Sequence, residues 1–289
     1  MVRIAVHGIL LSFKMNKAHF VLPIFFAILI STIFAQVVLV TEPIHGSTFL
    51  FEGIDEVFVA LNILVITLLS ITSLFLFFRI FKKKRILAIK ILVAVFILGG
   101  VLSTLLFGKL LFDMIGLASP LSLLVVALVT YVGAYFAYLV LVDALSNKTK
   151  NLLFVICSSA LGSFLGVLVP PILALGISLF LSALDLILIE RNIVENIVGE
   201  ETYENLLTKV TFSHREWGVG IGDLTCYSMV VSNTSVYFGV SMGTLSLILI
   251  LIGVLLTLAL SSRRIRLPGL PIAITLGMLP SILLIILSY

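Results

Sequence analysis

The sequence predicts an all-α polytopic membrane protein with nine transmembrane helices, and three observations carry that reading. First, 61% of the residues are hydrophobic and only 11% are charged, with a mean hydropathy of +1.30. A soluble domain carries roughly 25% charged residues, and no water-soluble fold buries so much apolar surface. Second, nine apolar runs are each long enough to span, or nearly span, a bilayer. Third, the Lys and Arg residues fall almost entirely into alternate connections between those runs, which is how membrane orientation is written into a chain.

The runs cover about 20–40, 57–78, 86–107, 120–142, 151–169, 170–190, 218–239, 243–260 and 267–287. The first follows Lys14 and Lys17 and is about 20 residues long, against roughly 7–15 for a signal-peptide core, so it is expected to stay as a helix. The third and fourth are separated by a stretch from Gly108 to Pro120, where a re-entrant or interfacial turn is expected. Pro170-Pro171 divides the fifth from the sixth, because proline breaks the helical hydrogen-bond ladder.

With the N-terminus in the cytosol, nine spans place every Lys and Arg on the cytosolic side except Lys109. The expected topology is therefore N-terminus cytosolic and C-terminus extracytosolic. The whole chain, 1–289, reads as one membrane-embedded domain: helices one to six over about 20–190, a cytosolic loop over about 191–217, and helices seven to nine over about 218–287. That loop is the one long polar segment, acidic in its first half, and Leu206 to Phe212 favours a short strand.

The net charge of +4 does not point to nucleic acid, because the basic residues are topology clusters and not a patch. The expected partners are the lipid bilayer and transmembrane helical peptides, with the oligomeric state undetermined by sequence. Cys157 and Cys226 both lie in apolar runs and read as small buried hydrophobes. No metal and no organic cofactor is expected.

The carboxylates carry the chemistry. Glu42, Glu52, Asp55, Glu56 and Asp113 fall outside or at the outer interface, while Asp143, Glu190, Glu195, Glu200, Glu201, Glu204 and Glu216 fall inside or at the inner interface. Asp185 and Asp223 remain, each within a span. An ionisable group there costs at least about 2.5–3.5 kcal/mol near mid-bilayer and marks a functional candidate. The sixth run descends to the cytosol and the seventh rises from it, so each aspartate is expected about 8–9 Å from the cytosolic end of its helix. Two carboxylates facing each other in a poor dielectric do not both ionise readily and come to share a proton. One can then act as base on a water while the other, protonated, activates a peptide carbonyl.

Gly218-Val219-Gly220-Ile221-Gly222-Asp223 places three glycines just before the second aspartate, where they loosen a helix start and allow close approach of backbone. The alternative is that the glycines serve helix packing and Asp223 is a helix cap. Leu267-Pro268-Gly269-Leu270-Pro271 enters the last run from the cytosolic side. Proline suits a helix start, but two prolines around Gly-Leu also leave amides and carbonyls free to pair with an extended peptide or to shape a cleft.

Gly220-x-Gly222-Asp223, Asp185 on the preceding helix, and Pro268-Gly269-Leu270 on the last one together resemble the presenilin and signal peptide peptidase family. Members of that family are nine-span intramembrane aspartyl proteases with Gly-x-Gly-Asp and Pro-Ala-Leu motifs. The resemblance implies that Asp185 and Asp223 are the catalytic pair. It also implies that Gly220, Gly222, Pro268, Gly269 and Leu270 shape the active site, with Leu184, Leu267 and Pro271 against the substrate. The compact length looks like that of a microbial, archaeal-type homologue. Two positions depart from the pattern: Leu184 stands where the family has tyrosine before the first aspartate, and Gly269 replaces the alanine of the last motif. Other readings of the same residues are a channel or proton-coupled transporter using the two carboxylates, a prepilin-type peptidase, and a silent scaffold that binds membrane helices. Transporters built from broken helices show them in two related halves, and the first half of this chain has no counterpart to the broken starts of the seventh and ninth runs.

Overall fold

In a computed structural model the described residues are 2–41, 85–116, 119–142, 144–190, 211–214, 217–261 and 269–288. The second apolar run, 57–78, most of the cytosolic loop, and Leu267 and Pro268 lie outside the described residues. Among the described residues there are eight α-helices and one β-hairpin. In chain order they are α1 (Val2–Thr41), α2 (Arg85–Ile115), α3 (Ser119–Leu141), α4 (Asn147–Leu168), α5 (Pro171–Glu190), β1 (Thr211–His214), β2 (Trp217–Gly220), α6 (Ile221–Phe238), α7 (Val240–Ser261) and α8 (Leu270–Ser288). They take up the eight runs other than the second. Five of them are long and apolar enough to cross a membrane, over Val21–Val40, Lys90–Phe112, Lys148–Leu168, Val240–Leu260 and Leu270–Leu287.

Two boundaries differ from expectation. No break occurs at Gly108: α2 continues through Lys109 to Ile115 and stops at Gly116, whose φ of +69° is the left-handed value that ends a helix cheaply at glycine. The run Lys109-Leu110-Leu111-Phe112 offers nothing that would stop a helix sooner. The second difference lies at the entrance to α6. Residues 218–220 are strand and not helix, since β2 pairs antiparallel with β1 from Thr211↔Gly220 to His214↔Trp217. Glycines at 218 and 220 weaken a helix, and the β-favouring Thr211-Phe212 opposite supplies a partner.

Helix α6 is the axis of the bundle and packs against α1, α4, α5, α7 and α8. Apolar neighbours do not drive this in lipid, so close backbone approach and hydrogen bonds between helices must do so. The α4–α6 seam shows both. Gly162 and Gly166, one turn apart, lie so close to α6 that a Cβ at 162 would strike the Thr225 carbonyl, and one at 166 would strike Ser232. Ser31 Oγ of α1 donates to the Ser228 carbonyl at 2.7 Å, and the Ser163 and Ser31 hydroxyls are 2.9 Å apart. Asn233 donates to the Gly166 and Val169 carbonyls, both at 2.8 Å. Those carbonyls end α4, where Pro170 and Pro171 cannot supply amides. A core cluster around α6 draws Ile24 and Ile28 from α1, Val230 and Val231 from α6, Ile250 from α7 and Ile274 from α8.

Candidate active site

Asp223 is the third residue of α6, and Gly220 is its N-cap with φ −62° and ψ 137°. The Asp223 carboxylate folds back towards the Gly220 backbone at the start of the helix. It lies directly over Gly220: a Cβ there would sit 3.2 Å from Asp223 Oδ2. Glycine at 220 therefore serves to leave room for the carboxylate, its backbone conformation being one that any residue adopts. Gly222 is different, since it is exposed and a Cβ there would meet nothing within 4 Å.

Asp185 stands near the C-terminal end of α5, half-buried. It accepts from the backbone N–H of Leu270 at 3.3 Å. Leu270 is the first residue of α8, so this N–H is one of the donors that every helix start leaves without a partner in its own helix. Gly269 completes the junction: a Cβ there would sit 3.3 Å from Asp223 Oδ2. The Gly269–Leu270 peptide unit is thus bonded to Asp185, and the space beside its glycine is bordered by Asp223. The two aspartates are close enough to interact electrostatically. Asp223 lies in the first turn of its own helix and Asp185 faces the first turn of α8, and the aligned peptide dipoles at both helix starts favour negative charge.

Tyr227 was not singled out by sequence. It lies four residues after Asp223 and hence on the same face of α6, and its hydroxyl donates to the Gly269 carbonyl at 3.0 Å. Its ring is only 2% exposed. The signal was that one-turn spacing, a buried phenol needing a partner beside an intramembrane aspartate. The Gly269 carbonyl and Leu270 amide, expected to be free for a peptide ligand, are thus engaged by Tyr227 and Asp185. Leu270 itself is buried in the core cluster, and Pro271 is half-buried in the first turn of α8. Leu184 lies in α5 beside Asp185. Cys157 and Cys226 are free and buried. Among the described residues no three His, Cys, Asp or Glu side chains gather as a metal site would require.

No protein-family model matches the chain, and no curated protein matches it either. Among solved structures, the chain is similar to one described as a presenilin family intramembrane aspartate protease. The two share 17% identity at a TM-score of 0.54, over 93% of this chain and 98% of that one. At that identity the likeness is one of fold. The architecture is that of a polytopic helical membrane protein, spread over nearly the whole of both chains.

Proposed function

We propose that this chain is an intramembrane aspartyl protease of the Gly-x-Gly-Asp type, with Asp185 and Asp223 as its catalytic pair. The observation that carries the reading is the convergence of both carboxylates on the start of α8, Asp185 bonded to the Leu270 N–H and Asp223 beside the open side of Gly269. Two intramembrane aspartates from separate helices have no packing reason to converge, given the cost of ionisable groups in lipid. The fold shared with a presenilin-family protease supports the same conclusion.

The reaction needs no cofactor. One carboxylate takes a proton from a water that adds to the scissile carbonyl carbon. The other, protonated, hydrogen-bonds the carbonyl oxygen as negative charge grows there. The tetrahedral intermediate then collapses, the C–N bond breaks, and the amine leaves with a proton from the pair. The chain would thread the membrane nine times with its N-terminus in the cytosol, as a microbial, archaeal-type homologue in the cell membrane.

The substrate would be a transmembrane helix, type II segments and remnant signal peptides being the expected class. It must unwind locally, because a helical peptide bond is shielded by its own hydrogen bonds. Among the described residues β2 is paired on one side only, with β1, and it leads directly into α6 and Asp223. An unwound substrate strand adding to the open edge of β2 would lay its backbone across Asp223.

The test is cleavage of a transmembrane reporter peptide by the purified protein in detergent. Asp185→Asn and Asp223→Asn should each lower the rate by roughly 10³-fold or more. The wild-type rate should pass through a maximum at acid to neutral pH and fall on both sides, as a pair sharing one proton requires. Cleavage that survives both substitutions would overturn the proposal.

A further inference from the structure

The C=O of Gly269 and the N–H of Leu270 are the two ends of one planar peptide unit, and each is held by a different helix. Tyr227 of α6 donates to the carbonyl at 3.0 Å, and Asp185 of α5 accepts from the amide at 3.3 Å. In a trans peptide these groups point in opposite directions and are rigidly linked. We infer that Tyr227 is a positioning residue for Asp185, acting through this peptide plane: it holds the Gly269 carbonyl, and so fixes the direction in which the Leu270 N–H presents itself to the Asp185 carboxylate.

Three features make this arrangement effective. Tyr227 is 2% exposed and Leu270 7% exposed, so the donor at each end of the plane is withdrawn from bulk water, while the acceptors on Gly269 and Asp185 are half-buried. Tyr227 and Asp223 share a face of α6 one turn apart, so a plane pinned by Tyr227 is pinned relative to Asp223 as well. Gly269 also lacks the side chain that would otherwise wedge between the plane and Asp223 Oδ2. The plane therefore sets the placement of one aspartate relative to the other across two helices, although Tyr227 itself need touch no substrate. A misplacement of about 1 Å at a reacting group costs on the order of 100-fold in rate, so the loss of one hydroxyl here should be felt in kcat.

The kinetic half of this inference rests on the protease reading, whereas the geometric half does not, and the experiment separates them. The sequence contains only two Gly–Leu bonds, Gly116–Leu117 and Gly269–Leu270. Full-length protein labelled with ¹³C-carbonyl glycine and ¹⁵N-leucine therefore gives two carbonyl–amide correlations by NMR, one of them an internal control. Tyr227→Phe should move the Gly269 carbonyl resonance upfield and shift the Leu270 amide with it, leaving Gly116–Leu117 in place. Asp185→Asn should shift the Leu270 amide from the other end. In the reporter assay Tyr227→Phe should lower kcat by about 10- to 100-fold with KM unchanged, at an unfolding midpoint close to wild type. An unmoved Gly269–Leu270 resonance in Tyr227→Phe overturns the inference, as does a kcat equal to wild type. If the resonances move as expected but the wild-type protein cleaves no transmembrane peptide, the clamp stands and the protease reading fails.

Discussion

Along α6, Ser228, Ser232, Asn233, Thr234 and Ser235 are all buried, whereas along α3 Leu124, Leu128 and Tyr131 are 65%, 57% and 75% exposed. In a water-soluble protein the two helices would exchange places. Lipid inverts the rule, because the apolar helix loses nothing by facing hydrocarbon while the polar one must find partners inside the protein. The same polar residues keep α6 out of both the five helices that qualify as spans and the shorter apolar ones, Leu124–Val140 of α3 and Pro171–Ala183 of α5. The helix with the weakest membrane signature is the one at the centre, and it carries Asp223. Polarity, more than hydrophobicity, locates the interior of this bundle.

Substitutions at graded distance from the α4–α6 seam can break or sharpen that contrast. The largest effect is expected at Gly166, where a side chain would meet Ser232 and the Met229 carbonyl. Gly166→Val should force the two helices apart and destabilise the protein by about 3 kcal/mol, read as a fall in the unfolding midpoint in detergent with loss of reporter cleavage. Next comes Asn233→Ala, which strips the Gly166 and Val169 carbonyls of their donor. A cost of about 1–2 kcal/mol is expected, and Asn233→Asp, an acceptor facing two acceptors, should be worse in the same unfolding measurement. The smallest effect belongs to the outer helix: Leu128→Ala on α3 should change stability by less than about 0.5 kcal/mol. A larger loss there would mean that α3 is covered by protein in the membrane and that the contrast is overstated.

The parts of the architecture legible in the sequence were those governed by solvent. Apolar runs give helices because lipid leaves the backbone no other way to satisfy its hydrogen bonds, and the two aspartates stood out because nothing else ionisable lay at that depth. The entrance to α6 was harder. Gly218-Val219-Gly220 looks like a loosened helix start when read alone, and only the pairing with Thr211-Phe212-Ser213-His214 makes it a strand. Pairing is a non-local property that no window around the glycines contains. Tyr227 escaped for a related reason: a tyrosine one turn beyond an aspartate is unremarkable until the Gly269 carbonyl arrives from a helix that begins far along the chain. The polar face of α6 was visible residue by residue, but it diluted the apolarity of the run and so disguised its place at the centre.

The carboxylates at this site are met by backbone: the Leu270 N–H at Asp185, and the Gly220 main chain alongside Asp223. A partner of that kind is almost indifferent to mutation. Leu270 could become another apolar residue and still present the same N–H, whereas a lysine or arginine partner would be lost in a single substitution. Proline alone deletes the donor outright. What such a site demands of its sequence is room for the backbone, supplied here by glycine at 220 and 269, so its mark in the chain is the small residue beside each contact and not a complementary charge.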